Sequence, residues 1–224
     1  MCIRDRVSTI HSSEAALATN KLIRNTYTML SMTLLFSALT ATASVFMEMG
    51  PMTYLVSIGV AMLLAFFVLP KTANSTAGLG VVFAITGLFG FALGPMLNMY
   101  LSLSNGPQII GMAMAGTGVI FLTLSGYALT TRKNFNFMGG FLMTGMIVAL
   151  IAALANIFLA IPALSLAISA VVIMLMSGFI LYDTSRMVHE PNGNYLMMTV
   201  SLYLNIFNLF VHLLHLLGAL SNND

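Results

Sequence analysis

Seven continuous apolar runs divide the chain, at residues 27–47, 53–69, 77–97, 108–129, 139–159, 162–182 and 197–220. At ~1.5 Å of rise per residue, each is long enough as a helix to cross a hydrocarbon core of about 30 Å. The runs are rich in Leu, Ala and Met and lack the strand-length alternation of a barrel. Backbone groups placed in lipid must then be satisfied inside helices. The expected fold is an all-α membrane protein, a single seven-helix transmembrane domain over residues 27–220. Composition points the same way. Hydrophobic residues make up 59% of the chain, charged residues 6%, and the mean hydropathy is +0.98, whereas a soluble domain carries roughly 25% charged side chains. A net charge of +2 spread over short loops offers no surface for nucleic acid. The one cysteine, Cys2, has no partner for an internal disulfide.

The basic residues sort to one side of this scheme. Lys21 and Arg24 lie in the segment before the first run, Lys71 in the second loop, Arg132 and Lys133 in the fourth and Arg186 in the sixth. The odd-numbered loops and the end of the chain have none, and carry only Glu48 and Asp224. Because cytoplasmic loops retain Lys and Arg, the N-terminus is expected in the cytoplasm and the C-terminus outside, with residues 1–26 a cytoplasmic tail and 221–224 an outer one. Residues 1–26 show no signal-type apolar core, and 15–26 are expected to form a short juxtamembrane helix. The opening MCIRDR resembles translated adapter sequence and is given no weight. The fifth loop, at Ala160 and Ile161, is short enough to require a tight hairpin. No segment outside the membrane is large enough for soluble-type catalysis, and GxSxG, HExxH and glycine-rich phosphate loops are absent. Neither enzymatic activity nor a cofactor is expected.

Lipid supplies no hydrophobic drive for helix association, so small residues mark where backbones approach. Gly87, Gly90 and Gly94 give the third helix such a face, and Pro95 is expected to end or kink it. Gly111, Gly116, Gly118 and Gly126 suggest the same for the fourth helix. The 19 methionines read as adaptable packing, since they form no soft-ligand cluster.

Polar residues inside the runs carry the functional signal. Ser201, Asn205, Asn208, His212 and His215 recur every three or four residues, which places all five on one face of the last helix. Asp183 is the only acidic residue within an apolar run, and an ionisable group at that depth is a functional candidate. If the sixth helix continues to about His189, Asp183 lies ~9 Å from its end and Asn205 ~13 Å into the seventh helix, so the two can face each other. Asp183 is then either half of an ion pair, with Arg186 along its own helix or Lys71 across the bundle, or a proton or cation site. His212 and His215, one turn apart, suit a metal with Glu48 as third ligand, a proton relay, or hydrogen-bonded packing. Two histidines alone are a weak metal signal, and no metal site is assigned.

RNTY stands before the first helix, GPMLN after the glycines of the third, TTRK after the fourth, and TSRMVH, NY and TVSLY around the seventh. Together these segments resemble the Bax inhibitor family of seven-helix membrane proteins, most closely its proteobacterial YccA branch, the modulators of the FtsH protease, and the resemblance extends over everything after about residue 8. It implies a fold with helix seven central and wrapped by the other six, in the inner membrane of a Gram-negative bacterium, so that the outer tail is periplasmic. It implies association with an FtsH-type membrane protease, restraining its proteolysis. The alternative that the family carries is a pH-sensitive calcium or cation leak governed by two aspartates sharing a proton. Asp183 stands at the first of those positions and Asn205 at the second, so the two-aspartate sensor is incomplete.

Overall fold

The computed structural model describes residues 2–221, with side chains from residue 17 onward. Asp224, the segment after Ser221 and the side chain of Cys2 lie outside the described residues. The described chain is helical with no strand, and seven helices are long and apolar enough to cross a membrane. They are α1 (Cys2–Phe46, apolar from Leu17), α2 (Pro51–Thr72), α3 (Ala77–Leu101), α4 (Gly106–Thr131), α5 (Gly139–Leu159), α6 (Pro162–His189) and α7 (Tyr195–Ser221).

Boundaries follow local chemistry. Pro51, Pro107 and Pro162 sit in the first turns of α2, α4 and α6, where a missing N–H costs nothing. Arg132 and Ala160 end α4 and α5 in the left-handed conformation, each at φ 50°. The α5–α6 connection is the expected tight hairpin, closed by Asn156, whose side-chain oxygen accepts the Ile161 N–H at 3.1 Å. In α2 the winding widens to a π-turn over Leu64–Val68 directly before Pro70, which cannot donate to the helical ladder. Pro95 does not end α3, which continues to Leu101. Past the proline the helix is held from outside, where Asn98 donates its side-chain amide to the Val45 carbonyl of α1 at 3.1 Å. Neighbouring helices re-satisfy what a membrane proline disrupts.

The most extensive helix pair is α1 with α3. A Cβ on Gly90 would collide with the Ser37 carbonyl and one on Gly94 with Ser44, so the expected small-residue face is the seam where these backbones meet. The α4 glycines behave differently. Nothing lies near a Cβ built on Gly111, Gly118 or Gly126, so these three do not make a packing seam.

Helix α7 packs chiefly on α6, α4, α1 and α3, whereas α2 leans on α3 and α5 on α6. Half of the apolar window of α3 is buried and 44% of that of α7, against 11% for α5, so these two are the most buried of the seven helices and α5 the least. Tyr203 of α7 ties α3 and α1 together. Its hydroxyl contacts the Ser37 hydroxyl at 2.6 Å and donates to the Thr86 carbonyl at 3.1 Å, while Phe89 and Phe207 pack around its ring.

Candidate functional site

The polar face of α7 divides into two centres with different partners. Toward the end bearing the basic loops, α6 and α7 lie side by side and place Asp183 opposite Ser201 and Asn205. One carboxylate oxygen, Oδ2, accepts from the Ser201 hydroxyl at 2.6 Å and from the Asn205 amide at 2.7 Å. Ser201 and Asn205 are one turn apart, so both donors reach the same oxygen. Asp183 and Asn205 are buried, at 6% and 7% exposure. The expected charge partners are not the ones this carboxylate has. Arg186, one turn along α6, swings to Glu190 at 3.0 Å and lies over the Tyr182 ring. Among the described residues no salt bridge involves Asp183 or Lys71. Burying two opposite charges costs more desolvation than exposing one of them to a surface carboxylate, which accounts for the choice Arg186 makes.

Hydroxyls surround this centre. Thr184, next to Asp183, meets Ser125 of α4 at 3.1 Å, and Ser125 also meets the Tyr27 hydroxyl of α1. The hydroxyl of Ser185 donates to the Lys133 carbonyl and accepts the Phe135 N–H, both at 3.0 Å, which holds the α4–α5 loop against α6.

The second centre lies toward the opposite end. Ser169 of α6 receives both histidines, with His215 Nδ1 at 2.9 Å and His212 Nδ1 at 3.1 Å from its Oγ, which itself lies 3.1 Å from the Ser165 carbonyl. A hydroxyl has one proton and two lone pairs. All three contacts are satisfied in one way: the serine donates to Ser165 and accepts an N–H from each imidazole. Both rings are thereby fixed as Nδ1–H tautomers, with the Nε2 lone pairs turned elsewhere. A cleft of about 340 Å³ opens beside them, lined also by Asn156, Ser165 and Met96. Among the described residues no group of three or more His, Cys, Asp or Glu side chains comes together, and Glu48 does not join the pair.

Asn208, on the same face, belongs to neither centre, since its amide bonds back to the Leu204 carbonyl of its own helix at 2.8 Å. Thus the structure joins Asp183 with Asn205 and Ser201, joins His212 with His215, and leaves Asn208 apart. Sequence reasoning missed Ser169 and Ser185. A single hydroxyl within an apolar run has no periodicity to betray it, although the polar face of α7 already required partners on a neighbour.

The model of the family described as inhibitor of apoptosis-promoting Bax1 matches residues 19–222. The chain belongs to that family. Relatives cover nearly its whole length. It is 49% identical, over 97% of this chain and 98% of the relative, to the Escherichia coli K12 protein named modulator of FtsH protease YccA. It is also 49% identical to an uncharacterised membrane protein of Vibrio cholerae, over 95% of this chain and 96% of the relative. An uncharacterised Pseudomonas aeruginosa protein is 45% identical over 90% of both. In this Bax1-inhibitor-family chain, both polar centres and the α1–α3 seam fall inside the matched residues.

Proposed function

We propose that the chain resides in a bacterial inner membrane, associates with an FtsH-type membrane protease and restrains its proteolysis, without being an enzyme itself. The observation that carries this reading is the 49% identity over 97% of the chain to a protein named modulator of FtsH protease. The match covers 98% of that relative. The sorting of Lys and Arg supports a cytoplasmic N-terminus and an outer C-terminus. That orientation puts the polar segment before Leu17 on the side of a cytoplasmic protease domain, where it serves as a handle. The chain is expected to co-purify with FtsH and, when overproduced, to lengthen the half-life of another membrane substrate of that protease; deleting residues 1–16 should weaken both effects. Unaltered turnover of the second substrate would refute the reading.

The contact between Asp183 and Asn205 favours a second reading, a cation leak in which Asp183 is the titrating group. It ranks below the first because Asn205 cannot share a proton with a neighbouring carboxylate. Proteoliposomes loaded with a calcium dye separate the two: a pH-dependent flux lost in Asp183→Ala raises the leak to first place, and absence of flux at every pH removes it.

A further inference from the structure

At the end bearing the basic loops, a pocket of about 440 Å³ lies between α1, α4 and α6, lined by Thr19, Asn20, Arg132 and His189 together with apolar Ile23, Leu129 and Val188. Its depth is informative. Thr19 and Asn20 begin the apolar part of α1, Arg132 caps α4, and His189 is the last residue of α6. All four polar residues therefore stand where a helix leaves the hydrocarbon, at the level of lipid head groups, and Ile23 and Leu129 lie about one turn deeper, at the level of the first acyl carbons.

Ser185 builds the two basic residues into one site. Its hydroxyl holds Lys133 and Phe135, the residues that follow Arg132, and its carbonyl lies 2.8 Å from His189 Nδ1. The carbonyl can only accept, so Nδ1 carries a proton. Charge at the pocket is one-sided. Glu190, the acidic neighbour, is held by Arg186, and among the described residues no carboxylate lines the cavity.

We propose that this pocket binds the phosphate of an anionic phospholipid, with the Arg132 guanidinium and the His189 imidazolium on the phosphate and Thr19 and Asn20 on the glycerol side. A zwitterionic lipid offers the same phosphate but brings an ammonium that finds no carboxylate in the pocket. Because His189 Nδ1–H is committed to Ser185, its Nε2 can donate to a phosphate only when the ring is doubly protonated. Binding therefore takes up a proton and strengthens as pH falls. Among the described residues the charged groups around that ring are Arg132 from α4 and the Arg186–Glu190 pair on α6, and the lining residues from α1, Thr19, Asn20 and Ile23, carry no titratable group.

The test uses the full chain in nanodiscs of phosphatidylcholine containing one-fifth phosphatidylglycerol, with the lipids that remain bound after transfer to detergent counted by native mass spectrometry. About one phosphatidylglycerol should be retained per chain, with greater retention at pH 6 than at pH 8. Arg132→Asn removes the charge while suiting the left-handed backbone, and should weaken the preference about fivefold, the effect of one basic residue at a membrane surface. His189→Gln should abolish the pH dependence, and Lys133→Gln, outside the pocket, should change little. Retention of the two lipids in their bulk proportion of four to one overturns the proposal, as does a Lys133→Gln loss as large as that of Arg132→Asn. Binding of inorganic phosphate or of an acidic peptide without any preference between the lipids assigns the pocket to another ligand and also overturns it.

Discussion

The two polar centres of α7 use similar residues and differ in what surrounds them. Around Asp183 the packing is closed. Neither cleft is lined by Asp183, Ser201 or Asn205, and Oδ2 of the carboxylate takes both its donors from α7. Around Ser169 the packing is open, and a cleft of about 340 Å³ reaches both imidazoles. Removing a donor from a buried carboxylate is costly, since an oxygen left unmet in a dry interior costs its desolvation. Imidazoles beside a cleft can exchange a lost protein partner for water. The first centre is therefore a fastener between α6 and α7, and the second an adaptable site.

Replacing a donor in the closed centre should show the larger effect. Asn205→Leu leaves Asp183 with one donor and is expected to cost about 2 kcal/mol or more, toward the upper end for a hydrogen bond to a buried carboxylate. Asp183→Asn, whose side-chain oxygen can accept both donors, should cost distinctly less. Thermal unfolding in a mild detergent ranks the variants. If Asn205→Leu unfolds at the wild-type temperature, water reaches the carboxylate and the contrast between the centres disappears.

A second carboxylate in the closed centre probes the same contact through pH. Asn205→Asp sets like charges at the position of a 2.7 Å hydrogen bond. Two carboxylates so close titrate as a pair, and their repulsion grows as protons leave. The variant should lose on the order of 1–2 kcal/mol of stability between about pH 5 and about pH 8, a dependence of the kind seen when one group is perturbed by about a unit. A flat profile for this variant would mean that the two side chains separate when both are charged.

In the open centre, Ser169→Ala removes the acceptor of two N–H groups, yet the expected cost is only about 1 kcal/mol, because water can enter. The informative readout is the ring nitrogens. Nitrogen NMR of the wild type should show both His212 and His215 as Nδ1–H tautomers, and the variant should show mixtures. Mixed tautomers already in the wild type would show that Ser169 does not orient the pair.

Much of this was legible in the chain itself. The runs 77–97, 108–129 and 139–159 fall inside observed helices because hydropathy alone decides where lipid-facing helices lie. The sixth helix was harder to bound. Its run stops at Tyr182, but the helix continues to His189, since Asp183, Thr184 and Ser185 each find a partner on another element and the polar turn stays folded. The pairing of Asp183 with Asn205 was open to a depth argument, as both lie a similar distance from the same end. The choice of Arg186 for Glu190 was not, because two acceptors one turn away in either direction look equivalent until burial separates them. Similarly, the glycines of α3 and α4 are alike in sequence, and only the presence of α1 against α3 gives the former a packing role.

Asn208 sets the lower limit of the contrast. In sequence it is indistinguishable from Asn205: the same amide, on the same face, three residues further along. In the fold its amide bonds the carbonyl four residues back, so it fastens nothing to α6. An intrahelical bond of this type competes with the ladder and adds little to tertiary stability. Asn208→Ala should thus change stability by less than about 0.5 kcal/mol, several-fold below Asn205→Leu, and leave the tautomers of His212 and His215 intact. A cost comparable with that of Asn205→Leu would place Asn208 in a polar chain running the length of α7, and the two centres would then be one.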